Sequence, residues 1–286
     1  MSLKQPVKYP VEYYSHLDAG APQLADADGV IKTILKACLV TGYGTKEGAG
    51  WTALFEDDYR IVLRRPLRTG NPPDIKIENG VINGVASHRI VSQDNPTGLS
   101  DANELASVNL LARDHTTGLK WYLIVSDFGF LFCYPMGTEG YGSSNNPKHM
   151  LYCGSLKKMR DEDPDFFVTS TVDTIERDGR AQGYAHGFIS ERSSLKDMRT
   201  GVSNKKFYYV DMNTTERYFN GDYIMQPLIF DAKAIMPFYC ALSKRYEGIT
   251  TSSIVSDSRL MLRYLNRIYE DATARVFYIP LDYWEL

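Results

Sequence analysis

The chain has little of what marks a disulfide-stapled, metal-binding, secreted or membrane-spanning protein. Four cysteines in 286 residues, Cys38, Cys133, Cys153 and Cys240, lie far apart within apolar or aromatic runs. That spacing excludes a disulfide framework and suits buried, reduced thiols. Five histidines, His16, His88, His115, His149 and His186, include no closely spaced pair, and Cys-x-x-Cys does not occur. The ligand spacing of a closed metal site is therefore missing, and no cofactor is expected. No apolar run approaches the roughly 18 residues of a membrane span. Residues 1–10 are polar and carry Lys4 and Lys8 where a secretory signal would carry an apolar stretch. The expectation is a product made and folded in a cytoplasm, without membrane insertion.

Charge of one sign is also lacking. Lys and Arg total 32 against 35 Asp and Glu, a net charge of -3. Such a balance gives no general attraction to nucleic acid, so no nucleic-acid partner is expected. One local cluster stands out, Arg60, Arg64, Arg65 and Arg68, but no stacking aromatics interleave with it. It reads as the charged residues of an exposed strand and its turn.

What is present is 43% hydrophobic residues, 23% charged residues and twenty tyrosines, enough apolar material for a real core. Residues 26–40, DADGVIKTILKACLV, place Asp at helix N-cap positions ahead of apolar residues at helical spacing, with Gly42 after them. This predicts an amphipathic helix. The period then changes to strand alternation at Trp51, Ala53 and Phe55, and residues 60–64 read as a strand halted by Pro66.

The clearest element is a hairpin, residues 119–126 and 130–134, joined by Asp127-Phe128-Gly129. Further strands are predicted at 74–77, 88–92, 150–153, 165–171, 183–190, 206–211, 223–230 and 275–280. Leu260, Tyr264, Leu265, Ile268 and Tyr269 have helical spacing, with Arg259, Arg263 and Arg267 on the other side, so a C-terminal helix is expected there. The fold class follows: mainly antiparallel β, a sandwich or barrel, with an N-terminal amphipathic helix and a C-terminal helix, and α+β as the alternative. Without a repeat or linker, residues 1–286 read as one unit, the alternative being two lobes, 1–155 and 156–286.

Motifs that invite catalytic readings fail on context. The run Gly42, Gly44, Gly48 and Gly50 follows a helix and enters a strand, the reverse of a phosphate loop, and no Gly-Lys-Ser/Thr ends it. Asp127-Phe128-Gly129 spells a kinase triplet without the rest of that signature set. Gly-x-Ser-x-Gly is absent. Paired carboxylates for glycan cleavage could come from Glu56, Asp57, Asp58, Asp161, Glu162, Asp163 or Glu191, most of them in charged turns where solvation is the simpler account.

The tyrosines crowd the last third of the chain. Tyrosine suits strands, and it suits interfaces because it buries area while keeping its hydroxyl bonded. Tyr208, Tyr209, Tyr218, Tyr223 and Trp284 are accordingly candidates for subunit contacts or for stacking on a ligand, with Trp121 as a further sugar platform.

A run of short blocks has a recognisable order: Tyr14-Ser15, Gly20-Ala21-Pro22-Gln23-Leu24, Gly29-Val30-Ile31, Leu35-Lys36-Ala37-Cys38-Leu39-Val40 and Gly42-Tyr43-Gly44-Thr45-Lys46. Gly50-Trp51, Phe55 and Tyr59-Arg60 follow. In these residues the chain resembles an uncharacterised family of virion-associated proteins encoded by tailed phages and prophages. Looser similarity runs through Trp121-Tyr122-Leu123, Phe130-Leu131-Phe132, residues 152–171, and the final block 275–279 with Trp284. The resemblance implies a structural role in the particle, in tail, baseplate, neck or capsid exterior, and no catalytic residues. Its partners would be further copies of itself, neighbouring particle proteins and, for a tail module, a host-surface glycan or receptor. It also implies a host bacterial cytoplasm as the place of assembly. A carbohydrate-binding tail module and a glycan hydrolase are the competing functions.

Alkylation of the unfolded protein without reductant is expected to modify all four cysteines. An intramolecular bridge found by mass measurement would contradict this reading.

Overall fold

The structure is a computed structural model that describes residues 6–24, 28–67, 72–82, 85–111, 120–135, 148–162, 165–172, 194–197, 203–204, 226–230, 234–243, 252–256, 259–267 and 274–286. The chain opens with β1 (Lys8–Pro10) and β2 (Glu12–Ser15), then forms helix α1 (Val30–Lys36) and a π-helical turn (Ala37–Thr41). A meander follows: β3 (Thr52–Glu56), β4 (Ile61–Arg64), β5 (Asp74–Ile82), β6 (Val85–Gln93) and β7 (Glu104–Leu111). Next come β8 (Tyr122–Ser126), β9 (Gly129–Pro135), β10 (Lys148–Ser155), β11 (Lys157–Lys158), β12 (Phe166–Val172), β13 (Ser194–Asp197) and β14 (Ser203–Asn204). The chain ends with β15 (Gln226–Phe230), β16 (Ala234–Ser243), β17 (Ser252–Ser256), β18 (Arg259–Arg267), β19 (Ala274–Pro280) and β20 (Tyr283–Glu285). The candidate strands 183–190 and 206–211 lie outside the described residues.

The strands form open sheets, and their pairings are antiparallel. A central sheet has the order β14-β13-β12-β10-β9-β8-β2, the meander β3 to β7 forms a second, and β11-β16-β19-β18-β17 with β15 on β16 forms a third. A short ribbon of β1 and β20 joins the chain ends. The expected barrel is thus corrected: the sheets are open and stacked in layers, none closing on itself among the described residues.

Alternation along the central strands explains the layering. Leu123, Val125, Phe130, Phe132, Leu151 and Phe167 point to one side and share a core with Ile61, Leu63, Ile75, Ile77 and Ile90 of the meander and with the helix. Tyr122, Ile124, Leu131, Cys133, Met150 and Val168 point to the other and pack with Met236, Phe238, Leu262, Phe277, Ile279 and Trp284 of the third sheet and the C-terminal ribbon. The central sheet is therefore a middle layer. That is why β8 and β9 read as near-continuous apolar runs and not as alternation. Each fully buried Phe or Leu here contributes about 1.5–3 kcal/mol from removal of apolar surface. The hairpin turn is Asp127-Phe128, with Ser126 opposite Gly129. Phe128 is fully buried, edge-on to Tyr9 and against Trp284.

Both helix expectations change. The amphipathic helix at 26–40 is not what forms: α1 has seven residues, of which Val30, Ile31, Lys32, Ile34 and Leu35 are buried. The helix is half the expected length, and its solvated side is narrow, Thr33 exposed and Lys36 part-exposed, with Lys32 buried. Lys32 tolerates burial because its ammonium donates to the carbonyls of Asp57 and Asp58 and pairs with Glu56. Gly29, at φ 73°, is the N-cap residue where an Asp was expected, and no side chain caps the helix. Beyond Lys36 the helix widens: Gly42 N–H donates to Ala37 O, five residues back. This frees the carbonyls of Cys38 and Leu39, which accept from Ala49 N–H and Trp51 N–H at 2.9 Å each, docking the incoming strand.

The C-terminal helix is overturned outright, because residues 259–267 are β18, paired with β17 on one side and β19 on the other. Adjacent Met261 and Leu262 are both buried, as in a strand covered on two faces. Pairing with neighbouring strands outweighed the local helical period. The alternative lobe boundary after residue 155 falls within the central sheet, where β10 pairs with β12.

Trp51 is 3% exposed and meets Phe130 edge-on, whereas Phe55 is only half-buried after a bulge in β3. Trp51→Ala is expected to cost about 3–5 kcal/mol in denaturant unfolding. Trp51→Phe should lose clearly less, since the indole Nε1 makes no hydrogen bond among the described residues. A Trp51→Ala variant as stable as the parent would show this packing to be wrong.

Candidate functional site

A dense polar constellation lies where β2, the turn after it and the glycine-rich loop meet. Residues 15–18 turn tightly: Asp18 N–H donates to Ser15 O, and Ser15 N–H donates 2.7 Å to Asp18 Oδ2. The same carboxylate oxygen accepts from Tyr43 Oη at 2.8 Å and from Lys46 Nζ at 2.8 Å. Lys46 also donates 2.6 Å to Tyr13 O, and its ammonium lies 5.7 and 5.4 Å from the ring centres of Tyr13 and Tyr14. Tyr14, buried at 2%, has its hydroxyl within hydrogen-bond reach of the Glu12 carboxylate and of Glu47 O.

Glycine makes this contact possible. Tyr43 and Lys46 exchange backbone hydrogen bonds at 2.9 Å, with Gly44 between them at φ 57°. A Cβ on Gly44 would stand 2.1 Å from Ala19 O. The run does connect helix to strand, but it is closely packed against the 16–20 turn and not a loose tether.

Electrostatics make the cluster a latch. Burial raises the cost of ionising Asp18, but hydrogen bonds from Lys46, Ser15 and Tyr43 outweigh it and hold the carboxyl below its usual range. Burial pushes Tyr13, Tyr14 and Tyr43 upward, and Cys38 beside them likewise. At neutral pH the acid is ionised and the phenols and thiol are neutral. Sequence reasoning missed Asp18; the only local signal was its place three residues after Ser15, suited to a side-chain-closed turn.

The other candidates disperse. Arg60 pairs with Asp57, and Arg64 forms a bidentate pair with Asp74. Arg65, read as exposed, is 3% exposed: it donates to Phe128 O and Ser155 Oγ and lies over the Phe167 ring. The basic cluster is therefore three separate internal ties, with Arg68 outside the described residues. Glu56 is bound by Lys32 and Lys36, while Asp161 and Glu162 are exposed. Asp163 and Glu191 lie outside the described residues, as do Tyr208, Tyr209, Tyr218 and Tyr223. Trp284 is corrected: at 1% exposure, with Nε1 donating to Pro280 O and its ring against Phe128 and Tyr152, it has no free face for a sugar. Trp121 is fully buried too, donating to Pro22 O. Cys38, Cys133 and Cys153 are free thiols. Among the described residues no group of His, Cys, Asp and Glu gathers as metal ligands, and no helix is long and apolar enough to cross a membrane.

Many groups of the fold have pKa values displaced further from neutral pH. Burial opposes ionisation of Asp18, Glu56 and Asp282, but bonds from Lys46, Lys36 and Arg259 outweigh it and move all three down. Asp57, Asp101 and Glu104 move down chiefly through Arg60, the Thr97 N–H and Arg89. Arg60, Arg64, Arg89 and Arg259 move up through their carboxylate partners. Burial carries Tyr152, Cys133 and Cys153 upward. Compared with protein-family models, curated proteins and solved structures, the chain matches none of them.

The latch sets a pH dependence. Because folding lowers the Asp18 pKa, its contribution is present above the unfolded value and is lost as pH falls through the folded one. Asp18→Asn is expected to cost about 2 kcal/mol at neutral pH, the scale of hydrogen bonds to a charged group. The gap between variant and parent should narrow below about pH 4. Unfolding curves from pH 7 to pH 3 check this, and a gap independent of pH would rule the latch out.

Proposed function

We propose that this chain is a structural building block of a tailed-phage or prophage particle, made in the host cytoplasm and assembling in several copies. The observation that carries the reading is that the blocks behind the phage resemblance build the scaffold itself, core and latch. Acid–base catalysts are tuned toward neutral pH so that they can exchange protons, as when a carboxyl is raised by an apolar pocket. Here the displaced carboxylates are held ionised, and the displaced phenols and thiols neutral, so these groups serve as fixed ties within the fold. The blocks behind the phage resemblance agree in kind: Leu24, Val30, Ile31, Leu35, Cys38, Leu39 and Trp51 are core, and Tyr43 and Lys46 form the latch. A family sharing these would share a scaffold. The sugar-stacking alternative loses both of its tryptophans to the core, and the hydrolase alternative is left with solvated or ion-paired carboxylates among the described residues.

Quantitative mass spectrometry of salt-washed particles is expected to find the protein at a fixed integer copy number. Its loss on washing, or glycan cleavage by the purified protein that Asp58→Asn abolishes, would replace this reading with the enzymatic one.

A further inference from the structure

Register decides which backbone groups of β2 face outward. Glu12, Tyr14 and His16 turn theirs toward β8, as the 3.1 Å bond from His16 N–H to Trp121 O marks, so Tyr13 and Ser15 turn theirs to the border of the central sheet. β2 is the end strand of that sheet, and free donors and acceptors on an end strand are a template for pairing with other chains.

Here those groups are taken up by the same chain. Tyr13 O accepts from Lys46 Nζ at 2.6 Å, Ser15 N–H donates 2.7 Å to Asp18 Oδ2, and Ser15 O accepts from Asp18 N–H at 3.1 Å. Before them, Val11 N–H donates 3.2 Å to Asp282 O. Asp18 Oδ2 also binds Lys46 Nζ at 2.8 Å, so one carboxylate oxygen both takes an edge donor and holds the cation that takes the edge acceptor. An adjoining strand would offer this border the same things, an acceptor for Ser15 N–H and a donor for Tyr13 O.

We propose that the Asp18–Lys46 pair is a charge-operated cap on the outer border of the central sheet, standing in for an adjoining strand, and that loss of the Asp18 charge opens this border while β2 stays paired with β8. The latch is then a guard on the sheet edge as well as a stabilising contact, whatever particle the chain serves.

The groups around the cap assign the control to Asp18. Its carboxylate is faced by Lys46 and Tyr43 from the glycine-rich loop, by Cys38 from the π-helical turn, and by Tyr13 and Tyr14 from β2. Glu12 meets the Tyr14 hydroxyl, Glu47 offers that hydroxyl its backbone carbonyl, and His16 Nδ1 faces Trp121 O. Of these acids Asp18 is the one whose oxygen carries the cap. Burial works against its ionisation, yet the bonds from Lys46, Ser15 and Tyr43 prevail, so protonation opens the border only as pH falls below the usual carboxylate range.

Amide hydrogen exchange resolved by NMR separates the cap from the strand. Ser15 N–H reports the outer border and His16 N–H the seam with β8. In Asp18→Asn at neutral pH, Ser15 is expected to exchange roughly tenfold or more faster than in the parent, the scale of a lost charge-assisted bond, while His16 stays near its parent rate. In the parent, Ser15 protection should fall relative to His16 between about pH 6 and about pH 3. Tyr43→Phe, which removes one bond to Asp18 but keeps its charge and Lys46, should leave the ratio of the two rates near the parent's. If Asp18→Asn fails to fold, the acid series on the parent decides. Equal acceleration of Ser15 and His16, by the variant or by acid, overturns the proposal, as does a Tyr43→Phe variant that matches Asp18→Asn.

Discussion

A β-sheet with apolar side chains on both faces cannot be satisfied by one partner, and the architecture follows from that constraint on the central sheet. Leu123 and Phe132 need cover on one side, Ile124 and Leu131 on the other, and these are adjacent residues of the same hairpin. The meander with the short helix supplies the first cover and the late strands supply the second. The order of events along the chain makes sense in this light: the cover on one side precedes the hairpin in sequence and most of the cover on the other follows it. Contacts of such long sequence separation make for slow folding, because loop closure precedes the reward of burial.

Polar groups at the layer boundaries are fixed by the same demand. A buried charge is tolerated when it is paired and hydrogen-bonded, and leaving one partner alone costs about 3–5 kcal/mol. Lys76, 5% exposed, lies within 3.1 Å of Glu78, which pairs with Arg89, which in turn holds Glu104. Arg65 ties the meander to the hairpin turn and to Ser155, and a buried Ser92–Thr169 hydrogen bond joins the meander to β12. The Lys76 network stays within the meander, whereas the Arg65 and Ser92–Thr169 ties cross between sheets and define one relative setting of them, where apolar contacts alone would permit sliding.

How much of this was legible depended on how local its causes are. The hairpin was readable because its apolar strands and two-residue turn are contiguous, and Trp51 because the period switches beside it. Residues 259–267 were misread since the spacing of Leu260, Tyr264 and Leu265 fits a helix, while the partners that impose a strand, β17 and β19, must first be brought alongside. Lys32 looked like the solvated side of a helix, yet its partners are 25 residues away at Asp57 and beyond. Trp284 looked like a surface aromatic at a chain end because nothing local reveals that β20 pairs with β1. Asp18 and Lys46, 28 residues apart, were separately ordinary. Charge pairing over such distances leaves no periodic trace.

The latch also bears on what happens at an open sheet edge. Lys46 takes the Tyr13 carbonyl at the open edge of β2 and is itself fixed by Asp18, so that edge is blocked by a cation in a defined position. A blocked edge on the middle layer keeps the central sheet from growing by strand addition, which would prise its two covers apart. The outer sheets lie against the middle layer on one side only, so a change at their borders leaves the other cover in place. Protection of the inner sheet edge thus serves one requirement, that the three layers persist as a unit.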